Sequence, residues 1–276
     1  MAHHAPPTPD DSATLSGLKR AAGGAVALGL SATLALSAAL GLLLGAPVLI
    51  PAAAGAVYAL AAAVAWRWLD QHLPHHRLGA ANRVTVARAA LVATLAGLAA
   101  FSEGAPGAWT ETAGWCAIAL AATALSLDGV DGWAARRFGA SSPFGARIDQ
   151  ELDGLTTLLL ALLVWLSGPA GPWVLAAGLW RYGFLAAQPF APALRRALPA
   201  SAFRRIACGT SVGLLIAALG PIFPDWMQTA LAGSAVALLS TSFLRDIIWL
   251  VREEEDAENR PQDPEDGPRQ TEASDR

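Results

Sequence analysis

Residues 127–154, LDGVDGWAARRFGASSPFGARIDQELDG, place four Asp and one Glu between two long apolar runs. Asp128 and Asp131 are three residues apart, and Asp149 and Asp153 are four apart. In helices, each pair shares a face. A short Arg-rich connection separates the pairs, so their helices should be antiparallel neighbours with all four carboxylates near one end. Carboxylates gathered in partial desolvation repel one another unless a cation sits among them. Arg136 and Arg147 could supply part of that charge, and a hard divalent ion, or two, would supply it better. Mg²⁺ prefers oxygen ligands and keeps positions for phosphate and water, so this acidic set points to phosphate chemistry.

Small residues surround the acids. Gly132 directly follows Asp131, Gly145 precedes Asp149 by four, and Ala135 lies one turn after Asp131. A helical Gly costs about 0.5–1 kcal/mol relative to Ala, and what it gains is close approach of a ligand to the backbone. Arg136 presents a planar fork that suits phosphate oxygens. Taken singly, an Asp could pair with an Arg, and small residues commonly mediate helix packing in membranes. The whole set at this spacing reads as a site.

The elements that position these residues are apolar helices. The chain has 276 residues, 54% hydrophobic and 15% charged, against about 25% charged in soluble domains. Its apolar runs match the length of membrane spans. Two runs, Ala21–Gly45 and Ala46–Leu69, are followed by six more at about 84–101, 113–133, 148–167, 173–188, 207–220 and 227–250. The first exceeds a signal peptide's apolar region of about 7–15 residues, so an uncleaved helix is expected. The 207–220 run is short and is expected to begin earlier, near Ala202.

Residues 1–18 read as a disordered leader. Residues 253–276, with ten acids, three Arg and several Pro, read as a solvated tail. The connections at 70–83, 134–147 and 189–206 hold nine Arg, whereas those at 102–112, 168–172 and 221–226 hold no Lys or Arg. Such asymmetry places the Arg-rich side in the cytoplasm. It predicts eight spans, cytoplasmic termini, and an acidic cluster near the cytoplasmic face. Cys116 and Cys208 lack zinc or disulfide spacing, and packing is their expected role. His72, His75 and His76 cluster in a loop, where solvation is expected.

The signature Asp128-x2-Asp131-Gly132-x2-Ala135-Arg136-x8-Gly145-x3-Asp149-x3-Asp153 resembles that of the CDP-alcohol phosphotransferase family at all eight fixed positions. Residues 81–88, ANRVTVAR, resemble the segment opening the family's first core helix. The resemblance implies an all-α integral membrane protein. Its six-helix catalytic domain would span 81–252, with two additional transmembrane helices and a basic, His-containing loop at 19–80.

It also implies transfer of a phosphatidyl or similar phosphoalcohol group from a CDP-linked lipid, CDP-diacylglycerol being the expected donor, to a polar alcohol with release of CMP. Two Mg²⁺ (or Mn²⁺) ions would be bridged by Asp128 and Asp149 and completed by Asp131 and Asp153. Asp153 would be the general base. Asn82, Thr85, Gly132, Ala135, Arg136, Ser142 and Gly145 would contact the donor. The expected partners are these two substrates and the bilayer, with no nucleic acid. Homodimers are common among relatives.

Beyond the signature, Arg181 lies inside an apolar span and would bind an anionic acceptor or pair with a carboxylate. Arg204 and Arg205 would line an acceptor pocket or anchor the span at the cytoplasmic boundary. Asp246, next to Arg245, is expected to form a local ion pair. Two competing readings are a divalent-cation transporter, which needs acids distributed through the membrane depth, and an inactive scaffold, which would usually have lost a carboxylate.

Overall fold

The computed structural model describes residues 9–68, 80–104, 109–138, 143–196, 198–199 and 201–258. Within these ranges, side chains are described except at 9–16, 80–83, 104, 130–138, 143–144, 192 and 255–258. Among the described residues the eight α-helices are α1 (Pro9–Leu44), α2 (Leu49–Trp66), α3 (Ala80–Gly104), α4 (Glu111–Phe138), α5 (Pro143–Leu166), α6 (Ala176–Ala187), α7 (Ala202–Ala218) and α8 (Asp225–Glu258). Short 3-10 turns at Pro172–Leu175 and Pro192–Arg195 lead into α6 and toward α7. No strand occurs among the described residues.

Each expected apolar run corresponds to one helix. The 207–220 run begins at Ala202, where the Ser201 side chain accepts a hydrogen bond from the Arg204 amide at 3.3 Å, as an N-cap does. Two segments expected to be irregular are partly helical: α1 already starts at Pro9, and α8 runs on to Glu258. The apolar run behind each end carries the helix outward, past Gly17 in α1 and through the acidic residues 253–258 in α8. Residues 1–8 and 259–276 lie outside the described residues, as does most of the His-containing loop.

Five helices among the described residues are long and apolar enough to cross a membrane: 17–44, 49–66, 84–103, 111–129 and 225–254. The charges that open α5, and the 12 and 17 residues of α6 and α7, separate those three from the rest. Large apolar side chains such as Leu28, Leu42, Leu60 and Ile206 are exposed, as lipid-facing residues are.

α3 is central and packs on α1, α2, α4 and α5, while α7 packs on α8. The core joins Val92, Leu95 and Leu98 of α3 to Leu160 and Leu163 of α5 and to Leu215 of α7. Close backbone approach sets two of the contacts. A Cβ at Gly97 would lie 2.5 Å from the Ile50 carbonyl oxygen, and one at Gly178 would overlap the Leu158 Cα.

Gly178→Val is therefore expected to force α6 away from α5. Overpacking of this kind costs about 1–3 kcal/mol, which should lower the thermal midpoint in detergent by several degrees. An unchanged midpoint would show that α5 and α6 need not meet so closely.

Candidate active site

The acidic residues acquire their partner from a third helix. Arg88, two turns into α3, is 3% exposed. Its Nη1 lies 2.8 Å from Asp128 Oδ1 of α4 and donates to Asp149 Oδ1 of α5. Its Nη2 donates to Asp153 Oδ1 at 2.6 Å. One oxygen from each of Asp128, Asp149 and Asp153 lies within 4.8 Å of the others. Helical spacing sets which acids share a face, but α4 and α5 are not the packed neighbours expected from their short connection. Among the described residues each packs on α3, and Arg88 of α3 draws the three acids together.

A buried guanidinium among three carboxylates neutralises much of their repulsion, though the carboxylates are themselves 34–41% exposed. Solvent screening reduces what each pair contributes. The donor set is all oxygen, which suits Mg²⁺ or Mn²⁺, and the group already surrounds a cation. The acids therefore fit the divalent ion expected from the sequence.

Arg88 closes the ANRVTVAR segment, whose resemblance to the family assigns it no role. The available signal was a lone Arg one turn after Thr85 in an apolar run. An unpaired charge there would be unfavourable, so it required a partner.

The acids open into a cavity of about 480 Å³ between α3, α4, α5 and α7, lined by Arg88, Asp128, Gln150, Asp153 and Thr156 on one side. Ser201, Arg204, Arg205 and Cys208 line the other side. Cys208 thus borders the cavity, where only a packing role was expected. Arg204 donates to Asp246 Oδ2 at 3.0 Å and to the Pro199 carbonyl at 2.8 Å. Asp246 is therefore paired across helices, and its chain neighbour Arg245 lies over the Phe203 ring. The local pair expected from adjacency is replaced because successive residues on a helix point about 100° apart.

Arg181 donates to Glu151 Oε1 at 2.8 Å and packs against Gly154. It is absent from the lining of the polar cavity, so of its two expected roles the structure supplies the carboxylate partner. Thr85 and Gly145 border a separate, apolar cleft between α1–α2 and α3–α5. Asp131, Gly132, Ala135 and Arg136 follow Asp128 on α4, and Asn82 lies at the start of α3. Their side chains, and Ser142 altogether, are outside the described residues.

The family model described as CDP-alcohol phosphatidyltransferase matches residues 78–242, which include the whole acidic cluster and all three cavity arginines. No curated protein and no solved structure matches the chain.

Proposed function

The chain belongs to the CDP-alcohol phosphatidyltransferase family, and from that premise we propose that it transfers a phosphatidyl group from CDP-diacylglycerol to a small polar alcohol bearing an anionic group. The observation that carries this reading is the carboxylate cluster opening into a cavity whose far wall holds Arg204 and Arg205. The protein is all-helical and multi-pass, which suits a lipid-tailed donor. Eight spans, with both termini and the site toward the cytoplasm, remain our reading of the Arg distribution.

Asp153 lines the cavity and is the group we assign to take the acceptor's proton. The acceptor oxygen then bonds to the phosphorus that carries the diacylglyceryl group. The bond from that phosphorus to the oxygen bridging toward cytidine breaks, and the electron pair leaves with CMP. Asp128, Asp131, Asp149 and Asp153 are the residues we assign to hold Mg²⁺. Bound there, it would neutralise diphosphate charge and the charge that develops on CMP. Arg136, Gly132, Ala135, Ser142 and Asn82 are assigned to the donor head by the family resemblance.

On the acceptor side, Arg204 is fixed by Asp246, whereas Arg205 has no ion-pair partner among the described residues. The α7 N-terminus at Ser201 adds a positive dipole end beside them. Together they favour an acceptor such as a glycerol or inositol phosphate. A transporter reading gains no support, because Arg88 is the only charged residue among the buried described residues.

The test is CMP release by purified protein with CDP-diacylglycerol, Mg²⁺ and single alcohols. Release with one alcohol and its loss with a chelator would support the reading. No release with any alcohol, from folded protein, would refute it. Arg205→Ala is expected to raise KM for a phosphorylated acceptor about 10–100-fold, given about 1.5–3 kcal/mol for a hydrogen bond to a charged group, with a smaller change in kcat. An unchanged KM would remove Arg205 from the acceptor site.

A further inference from the structure

The two helices preceding the matched segment leave a cleft of about 520 Å³ against it, within the range of ligand sites. Ala25 of α1 and Val57 and Ala61 of α2 form one wall, and Val86, Leu152 and Leu155 of α3 and α5 form the other. Leu60 and Trp66 on its rim are exposed. Polar groups are few, and one of them, Glu151, is already held by Arg181.

The position of the cleft relative to the acids decides its occupant. On α5, Gly145, Ile148, Leu152 and Leu155 face the cleft, while Gln150, Asp153 and Thr156 face the polar cavity. On α3, Thr85, Val86 and Ala89 face the cleft, while Arg88 faces the acids. The same two helices therefore present an apolar surface on one side and the charged site on the other.

The end of the cleft is fastened to the acidic helix itself. Arg147 lies over the Trp68 ring at 4.1 Å, and buried Leu18 and Ala22 pack with Trp68 and Ile148. Gly145 of the cleft lies one turn before Asp149. A donor whose diphosphate is held at the acids has an apolar tail that must leave by a path other than the polar cavity.

We infer that the cleft between α1–α2 and α3–α5 receives an acyl chain of the lipid donor, so that the N-terminal helices form part of the donor site. This rests on the transfer reading above. Half of the wall precedes residue 78 and lies outside the family match, so it is a feature of this chain.

The test uses the full chain in nanodiscs with Mg²⁺ and a phosphorylated alcohol, comparing CDP-dipalmitoylglycerol with CDP-dihexanoylglycerol. Ala61→Trp and Ala25→Phe fill the cleft, and each is expected to lower the long-chain to short-chain ratio of kcat/KM at least tenfold. In the unmodified protein, a CDP-lipid with a diazirine on its acyl chain should label peptides from 18–68. A diazirine phosphatidylcholine should label them much less.

A ratio within twofold of the unmodified protein's would overturn the inference and leave the transfer reading intact. Equal labelling by both lipids would assign the cleft to bilayer lipid and also overturn it. If the variants do not fold, the labelling decides. If the unmodified protein releases no CMP from either donor, the transfer reading falls and this inference falls with it.

Discussion

Asp153→Asn is expected to reduce Mg²⁺-dependent CMP release by about 10²–10⁴-fold, the range general acid–base catalysis contributes. Each factor of ten corresponds to about 1.4 kcal/mol of barrier. The substitution keeps the shape of the side chain, and the Asn carbonyl can still accept from Arg88 Nη2, which now donates to Asp153 Oδ1 at 2.6 Å. Folding should therefore be nearly preserved, and a thermal midpoint close to the unmodified protein's would verify that. What disappears is a carboxylate able to accept a proton beside the polar cavity, together with one of the carboxylates proposed to hold the ion. A rate within threefold of the unmodified enzyme's would remove Asp153 from the chemistry. Release that fell only at low Mg²⁺ would reduce its role to holding the ion.

Arg88→Ala is expected to destabilise the metal-free protein and to enlarge its response to Mg²⁺. Removing one partner of a buried ion pair costs about 3–5 kcal/mol. Here Asp128, Asp149 and Asp153 remain about a third exposed or more, so water screens the uncompensated charge and about 1–2 kcal/mol is expected. For a chain of this size that is a fall of several degrees in thermal midpoint.

The sign of the metal effect follows from linkage. A ligand that binds the folded state stabilises it by RT ln(1 + [L]/Kd). A divalent ion entering the unmodified site must share or displace the guanidinium, whereas in the variant it meets free carboxylates. The Mg²⁺-induced rise in midpoint should thus be larger in Arg88→Ala than in the unmodified protein, whatever happens to turnover. Equal rises would mean that Arg88 and the ion do not compete for the same oxygens.

Local patterns were legible because helical spacing is a local property. The i, i+3 and i, i+4 positions of the acids fixed which side chains share a face, and the signature built on them identified the family. Apolar run lengths gave the helices, and Ser201 before Ala202 marked the start of α7. The ends of α1 and α8 reach further than their polar composition suggests, because such composition, even with Gly17 in α1, does not stop a helix that an apolar run has already nucleated.

Only the tertiary structure decided which faces meet. Arg88 and Asp153 are 65 residues apart, and nothing within α3 alone selects carboxylates on α4 and α5 as its partners. Asp246 bonds to Arg204 of α7 rather than relying on adjacent Arg245, because neighbours on a helix diverge while packed helices converge. Arg181 found Glu151, and α1–α2 settled against α3 and α5 to leave an apolar cleft. The sequence by itself determined the chemistry that this protein carries and the helices that carry it. Helix packing decided which cation stands among the acids and where the polar cavity and the apolar cleft open.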